Sequence, residues 1–247
     1  MIARLEVEVE DDRVVRLASE PPLAAKVLAG PGGRPELLLV GAAASLLEGD
    51  RLSVSVRVGP GCALTVRSAA ATIAHPCPGG GATSFDVHAR LGPGARLAWL
   101  PEPLVACSGC RHTGRTTIDL DAGAVAVWSE TVSLGRSGET CGSIGLRLDV
   151  ELAGRPLLRD GLRAGPGAPA WDGAAVMAGA RHVGSVFLLG RRAEDGGIAG
   201  AFHLAGPGSG IRALGGDGAE TERRLAPART SFLATMAASG SRQAIVM

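Results

Sequence analysis

Apolar and polar residues alternate with a period of two over most of the chain. From Arg51 to Val58, Leu52, Val54, Val56 and Val58 point one way while Ser53, Ser55 and Arg57 point the other, the pattern of a half-buried strand. Gly59-Pro60-Gly61 follows; proline presets φ and glycine supplies positive φ, so the chain is expected to reverse into an adjacent antiparallel strand, Cys62–Ser68. The unit recurs as Val87–Leu91, Gly92-Pro93-Gly94 and Ala95–Leu100. It appears again as Thr116–Leu120, Asp121-Ala122-Gly123 and Ala124–Glu130. Copies spaced about 30 residues apart predict stacked antiparallel hairpins, forming a β-sandwich or a short β-solenoid.

The second half continues the pattern. Ile144–Leu152 reads as a strand, turning at Gly154-Arg155-Pro156 into Leu157–Arg163, with further strands at Ser185–Leu189 and Ala201–Leu204. Helix is expected in two places: the short, glycine-interrupted Trp171–Ala180, and Glu220–Ala238, which Pro227 should break or kink. The stretch Gly206–Gly218 reads as a surface loop. Leu100–Val105 holds Pro101 and Pro103 and has too few N–H groups for a central strand, so it suits an edge, an exposed interaction surface or a crossing loop. The fold class is all-β with one or two short helices, and no boundary divides residues 1–247, which are expected to form a single β domain.

Composition narrows the function classes. The net charge is +1, so no global field draws the chain to phosphate backbones or anionic lipid, and nucleic acid and membrane surfaces are not expected partners. Met1–Glu10 alternates charged and apolar residues and lacks the basic and apolar regions of a secretory signal. No apolar run reaches the roughly 18 to 20 residues that a membrane helix needs. The chain is therefore expected in the cytoplasm, where its five cysteines, Cys62, Cys77, Cys107, Cys110 and Cys141, would be free thiols or metal ligands rather than disulfides.

Standard catalytic engines are missing from the motifs. Gly138–Gly142 places Thr140 where a nucleophile elbow needs serine, and a G-x-x-x-x-G-K-S/T phosphate loop is impossible because Lys26 is the only lysine. No catalytic and no cofactor-binding residue is assigned. The sharpest local constellation is Cys107-Ser108-Gly109-Cys110-Arg111-His112, in which two thiols and an imidazole could close on one soft or borderline cation. His75-Pro76-Cys77, in another glycine-rich turn, could complete the set. Asp50, Glu102, Glu130 and Glu139 lie near strand ends and are competent ligands for hard and borderline cations, or else solvated turn residues. His88, His182 and His203 are isolated within strand-like segments.

Several ordered blocks resemble one family. These are Leu39-Val40-Gly41 leading to Gly49-Asp50-Arg51-Leu52, Ser68-Ala69-Ala70-Ala71-Thr72, Gly94–Pro103 with its Leu97-Ala98-Trp99-Leu100-Pro101, and Thr131–Glu139 with Leu134-Gly135-Arg136 and Gly138-Glu139. In this order and spacing they resemble the UreD/UreH family of urease accessory proteins over roughly residues 21 to 163. Departures occur at Arg67-Ser68, where the family has Thr-Gln, and at Ile73 and His75, near its usual lysine and tyrosine. The resemblance implies a non-enzymatic, cytoplasmic scaffold that binds UreF, the GTPase UreG and apo-urease, with room for a homodimer. It also implies nickel in transit along an internal path rather than a tightly bound cofactor. Asp50, Glu102 and Glu130 are the acidic candidates for that path, and Cys107, Cys110 and His112 lie outside the family pattern. Two alternatives remain from the residues alone: a metal-binding β protein or metalloenzyme using the Cys107/Cys110/His112 turn, and a self-assembling structural β protein.

Overall fold

In the computed structural model, which describes residues 1–194 and 198–239, regular alternation becomes strand. In chain order the strands are β1 (Ile2–Glu10), β2 (Arg13–Ser19), β3 (Leu23–Ala29), β4 (Pro35–Gly41), β5 (Arg51–Val58), β6 (Ala63–Ser68), β7 (Thr72–Ala74) and β8 (Thr83–Leu91). There follow β9 (Arg96–Leu100), β10 (Leu104–Ala106), β11 (Arg111–Leu120), β12 (Val125–Ser133), β13 (Ser143–Leu152), β14 (Arg155–Ala164), β15 (His182–Leu189), β16 (Ala201–His203) and β17 (Gly208–Gly215). Helix α1 (Gly218–Ala238) comes last.

One sheet has the order β14-β13-β11-β8-β5-β1-β2 and the other β16-β17-β15-β12-β9-β6-β4-β3, with β7 and β10 branching against the end of β12. Strands β1, β5, β8, β11 and β13 run parallel in the first sheet, and β4, β6, β9 and β12 run parallel in the second. Each central coil gives one strand to each sheet. The molecule is a short β-solenoid finished at its ends by antiparallel strands.

The expected antiparallel hairpins are corrected by this topology. Gly59-Pro60-Gly61 joins β5 to β6, but those strands lie in opposite sheets, and β5 pairs in parallel with β1 and β8. The turn is a solenoid corner. Corners of successive coils bond to one another, Gly61 N–H to the Pro93 carbonyl at 2.9 Å and Gly94 N–H to the Ala122 carbonyl at 3.1 Å. Gly61 and Gly94 hold φ at 69° and 67°, a region closed to most side chains. Stacked corners keep the coils in register and leave each strand free to pair with its counterpart one coil away.

The inward residues of the two sheets form the core. One cluster gathers around Leu64, Leu97, Trp99, Ile118 and Trp128, and a second around Leu52, Val132, Ile144 and Val183. The Trp99 and Trp128 rings stack at 4.8 Å between centroids, one coil on the next. Helix α1 covers the outer face of the second sheet, seating Leu225, Ala228 and Phe232 on Val125, Val127, Val186 and Leu188. Covered on both sides, β12 is buried over most of its length.

Three further expectations change. Helix α1 runs unbroken through Pro227; that residue is on the exposed side, and buried Leu225 and Ala228 hold both halves against the sheet. Asp217 caps its start by accepting from Glu220 N–H at 2.7 Å. Trp171–Ala180 forms turns instead of helix, since Ala170, Ala178 and Gly179 have positive φ and glycine interrupts the segment. Gly206–Gly218 is not a loop: it holds β17, paired with β15 and β16. Its glycines serve packing, since a Cβ on Gly210 would sit 2.7 Å from the Phe187 ring. Among the described residues no helix is long and apolar enough to cross a membrane.

Candidate functional site

A cavity of about 410 Å³ opens between the two sheets where β9 leaves β12. The prolines explain its position. Pairing of β9 with β12 ends at Trp99 and Trp128, and Pro101-Glu102-Pro103 then carries the chain across to β10. Leu39, Leu52, Phe85, Trp99 and Leu146 wall the cavity, while His75, Glu102, His112, Thr116 and Glu130 bring polar groups to it. An apolar chamber with a few convergent polar groups is the usual form of a small-ligand path or site.

The strand register sets the chemistry at the inner end. Glu130 on β12 is aligned with Ser185 on β15 and Arg212 on β17. In the facing sheet, Thr116 on β11 is aligned with Leu148 on β13 and Asp160 on β14. The two rows meet across the core. Thr116 Oγ1 donates to Glu130 Oε1 at 3.2 Å, and Arg212 pairs with Asp160. The rows flanking this seam are apolar, Trp128 and Phe187 on one side and Val132 and Val183 on the other. The polar seam thus divides the two core clusters.

Glu130 Oε1 also accepts from Trp128 Nε1–H at 2.9 Å, and among the described residues no hydrogen bond ends on Oε2. Burial raises the Glu130 carboxyl above its ordinary pKa, against the opposing pull of the Trp128 and Thr116 hydrogen bonds. A second hollow of about 30 Å³ continues from Glu130 toward Asp160, Ser185 and Arg212. It shares Glu130, Val132, Leu146 and Arg147 with the larger cavity.

The other candidates have separate surroundings. Asp50 is buried and holds the Met1 ammonium at 2.5 Å and the Leu47 N–H at 3.0 Å, so its carboxylate ties the chain start to the turn before β5. Glu102 is exposed at the cavity mouth, its N–H donating to Ser68 Oγ at 2.8 Å. Glu139 bonds to Arg136, which holds its carboxyl down to about 2. Cys107 and Cys110 are buried in the turn before β11. Burial, with Cys141, Cys107 and Cys77 nearby, pushes Cys110 up to about 12, which keeps it as the unreactive thiol. His112 turns into the core, where its Nδ1 meets Thr83 Oγ1 at 2.8 Å, and burial lowers it to about 4.

Among the described residues no group of three or more His, Cys, Asp or Glu side chains is placed to hold a metal ion. His88, His182 and His203 each meet a hydroxyl, that of Thr117, Ser133 and Ser209 respectively. Thr116, Asp160, Ser185 and Arg212 were not singled out from the sequence. Each is one polar residue in a strand, and only the register shows that they converge.

The model of the UreD urease accessory protein family matches residues 2–243. This chain belongs to the UreD family. It is 38% identical to a urease accessory protein UreD of Parafrankia sp. (strain EAN1pec), over 90% of this chain and 85% of that protein. It is 39% identical to urease accessory protein UreD 3 of Streptomyces griseus subsp. griseus, over 90% and 91% respectively. A UreD of Streptomyces coelicolor is 37% identical over 87% and 89%. Blocks that carry the UreD likeness also surround the cavity: Leu39–Gly41 and Ser68–Thr72 line it, as do Trp99, Pro101, Glu102 and Thr131.

Proposed function

We propose that this UreD-family chain serves urease maturation as a non-catalytic cytoplasmic scaffold for UreF, UreG and apo-urease, and that nickel crosses it through the cavity past Glu130. The observation that carries this reading is the chamber between the sheets that leads to an enclosed carboxylate. Carboxylate and imidazole groups suit a borderline cation, and Glu102, His75, His112 and Glu130 are spread along the walls instead of gathered into one cage. Spread ligands suit transit. Trp128 Nε1–H and Thr116 Oγ1 already hold Oε1 of Glu130, so an arriving cation meets one oxygen there and is held by few ligands.

The test is co-expression with UreF, UreG and apo-urease, followed by size-exclusion chromatography and urease activation at limiting nickel. Glu130→Gln keeps an acceptor for Trp128 and Thr116 but removes the ionisable oxygen. It is expected to co-elute with UreF like the wild type and to lower the activation rate about tenfold, roughly the effect of losing 1.4 kcal/mol at one step. Failure of the folded wild type to co-elute with UreF would sink the scaffold. Wild-type activation by Glu130→Gln would remove the nickel path.

A further inference from the structure

We infer that the Arg212–Asp160 ion pair is a gate closing the far end of the passage, and that Ser185 and Asp160 form the step after Glu130. The inference rests on the reading of the cavity as a cation path and goes beyond it by naming what shuts the path.

The register places the gate. Glu130, Ser185 and Arg212 occupy one inward row of the second sheet, and Asp160 lies opposite on β14. The small hollow beyond Glu130 is lined by all four of these residues. Arg212 spans it, with Nε donating to Ser185 Oγ at 2.9 Å and Nη2 bonded to Asp160. One side chain therefore occupies both the hydroxyl and the carboxylate that a cation leaving Glu130 would meet next.

The charges give the gate its logic. A fixed guanidinium at the outlet repels a divalent ion, so passage requires Arg212 to leave. Its side chain is 40% exposed and that of Asp160 is 24% exposed, and ion pairs this open to water are weak and exchange readily. Arg212 also feels the charge of Glu130. A doubly charged ion arriving at Glu130 cancels that attraction and repels the guanidinium, which can swing outward into solvent from β17. Its departure frees Ser185 Oγ and the Asp160 carboxylate, two oxygen ligands suited to the same cation. The ion that needs the outlet thus favours its opening.

The experiment compares three forms of the full chain within the maturation complex, reading the initial rate of urease activation at limiting nickel. Arg212→Ala removes the plug and is expected to raise the rate several-fold. A double variant, Asp160→Cys with Arg212→Cys, is joined by a short bifunctional methanethiosulfonate, the native thiols being buried. Relative to its own unbridged form, which already lacks the Asp160 carboxylate, the bridged variant is expected to lose at least about nine-tenths of the rate, a tenfold change worth 1.4 kcal/mol, and to return to that form's rate when a reductant cuts the bridge. Glu130→Gln is the third form. If it slows activation while bridging leaves the double variant's rate unchanged and Arg212→Ala runs at the wild-type rate, the gate is overturned and the path stands. If Glu130→Gln has no effect, path and gate fall together. Should Arg212→Ala fail to assemble, the reversible bridge decides alone, since a merely structural pair would not regain activity on reduction.

Discussion

His112 shows how a ligand candidate on the sequence also takes a structural part in the fold. On the sequence it stands two places after Cys110 and looks like a third ligand. In the fold the start of β11 carries it into the core, where Thr83 takes its Nδ1 and burial lowers its pKa from 6.5 to about 4. The sign follows directly. Between those values the unfolded chain binds a proton that the folded protein excludes, so the contribution of His112 is full above pH 6.5 and is lost as pH falls toward 4. The size is about 3 kcal/mol, from two to three pKa steps of roughly 1.4 kcal/mol each. Urea denaturation across this window should show a steep loss for the wild type and a shallower one for His112→Gln. Parallel curves would refute the assignment. Asp50, another cation candidate on the sequence, likewise holds the Met1 ammonium. Sequence gives the chemical type of such groups, but the partner that uses them comes from elsewhere in the chain.

Elements were legible where one face alone was buried. The alternation in β5 matches its burial residue for residue, with Leu52, Val54, Val56 and Val58 inside. It gave less in β12, which is covered by the core on one face and α1 on the other, and nothing along its apolar run marks Glu130 as facing the cavity. Helix α1 is legible as a helix, and only the break expected at Pro227 does not occur. Proline there removes one backbone donor and crowds the preceding turn, yet Leu225, Ala228 and Phe232 bury against β15 and β17 and hold the helix together. The strain is therefore present but outweighed. Replacing Pro227, which is exposed, by Ala should stabilise the protein by roughly 1 to 3 kcal/mol, the amount an interior proline costs a helix. Thermal or chemical denaturation measures it, and an unchanged midpoint would mean that the helix already bends to accommodate the ring.

At the scale of the whole molecule, a solenoid must deal with its ends. The outermost strands at the amino-terminal end are β2 in one sheet and β3 in the other. Both expose apolar side chains, Val15 and Leu17 on β2 and Val27 and Leu28 on β3. Open strand edges invite pairing with other chains, and a charged residue, lysine above all, is a common guard. Lys26, the only lysine in the chain, is exposed in the middle of β3. Two copies of β3 meeting antiparallel about their centres would bring Lys26 against Lys26. Lys26→Val should therefore promote self-association, seen as earlier elution and stronger light scattering at equal concentration. A variant that stays as dispersed as the wild type would show that another feature protects this edge.

The sequence by itself determined most of the central strands, the places where the chain turns between them and the carboxyl-terminal helix, because period-two burial, glycine at positive φ and helix capping act over a few neighbouring residues; it did not show β17. Its ordered blocks also point to the UreD family. Only the tertiary structure decided that β5 pairs with β8 and not with β6, and that Thr116, Glu130, Asp160, Ser185 and Arg212 form one seam between two apolar cores. Alternation states which face of a strand is buried. It does not state which strand lies beside it or what faces it across the core, since those neighbours are fixed by the stacking of coils distant in sequence.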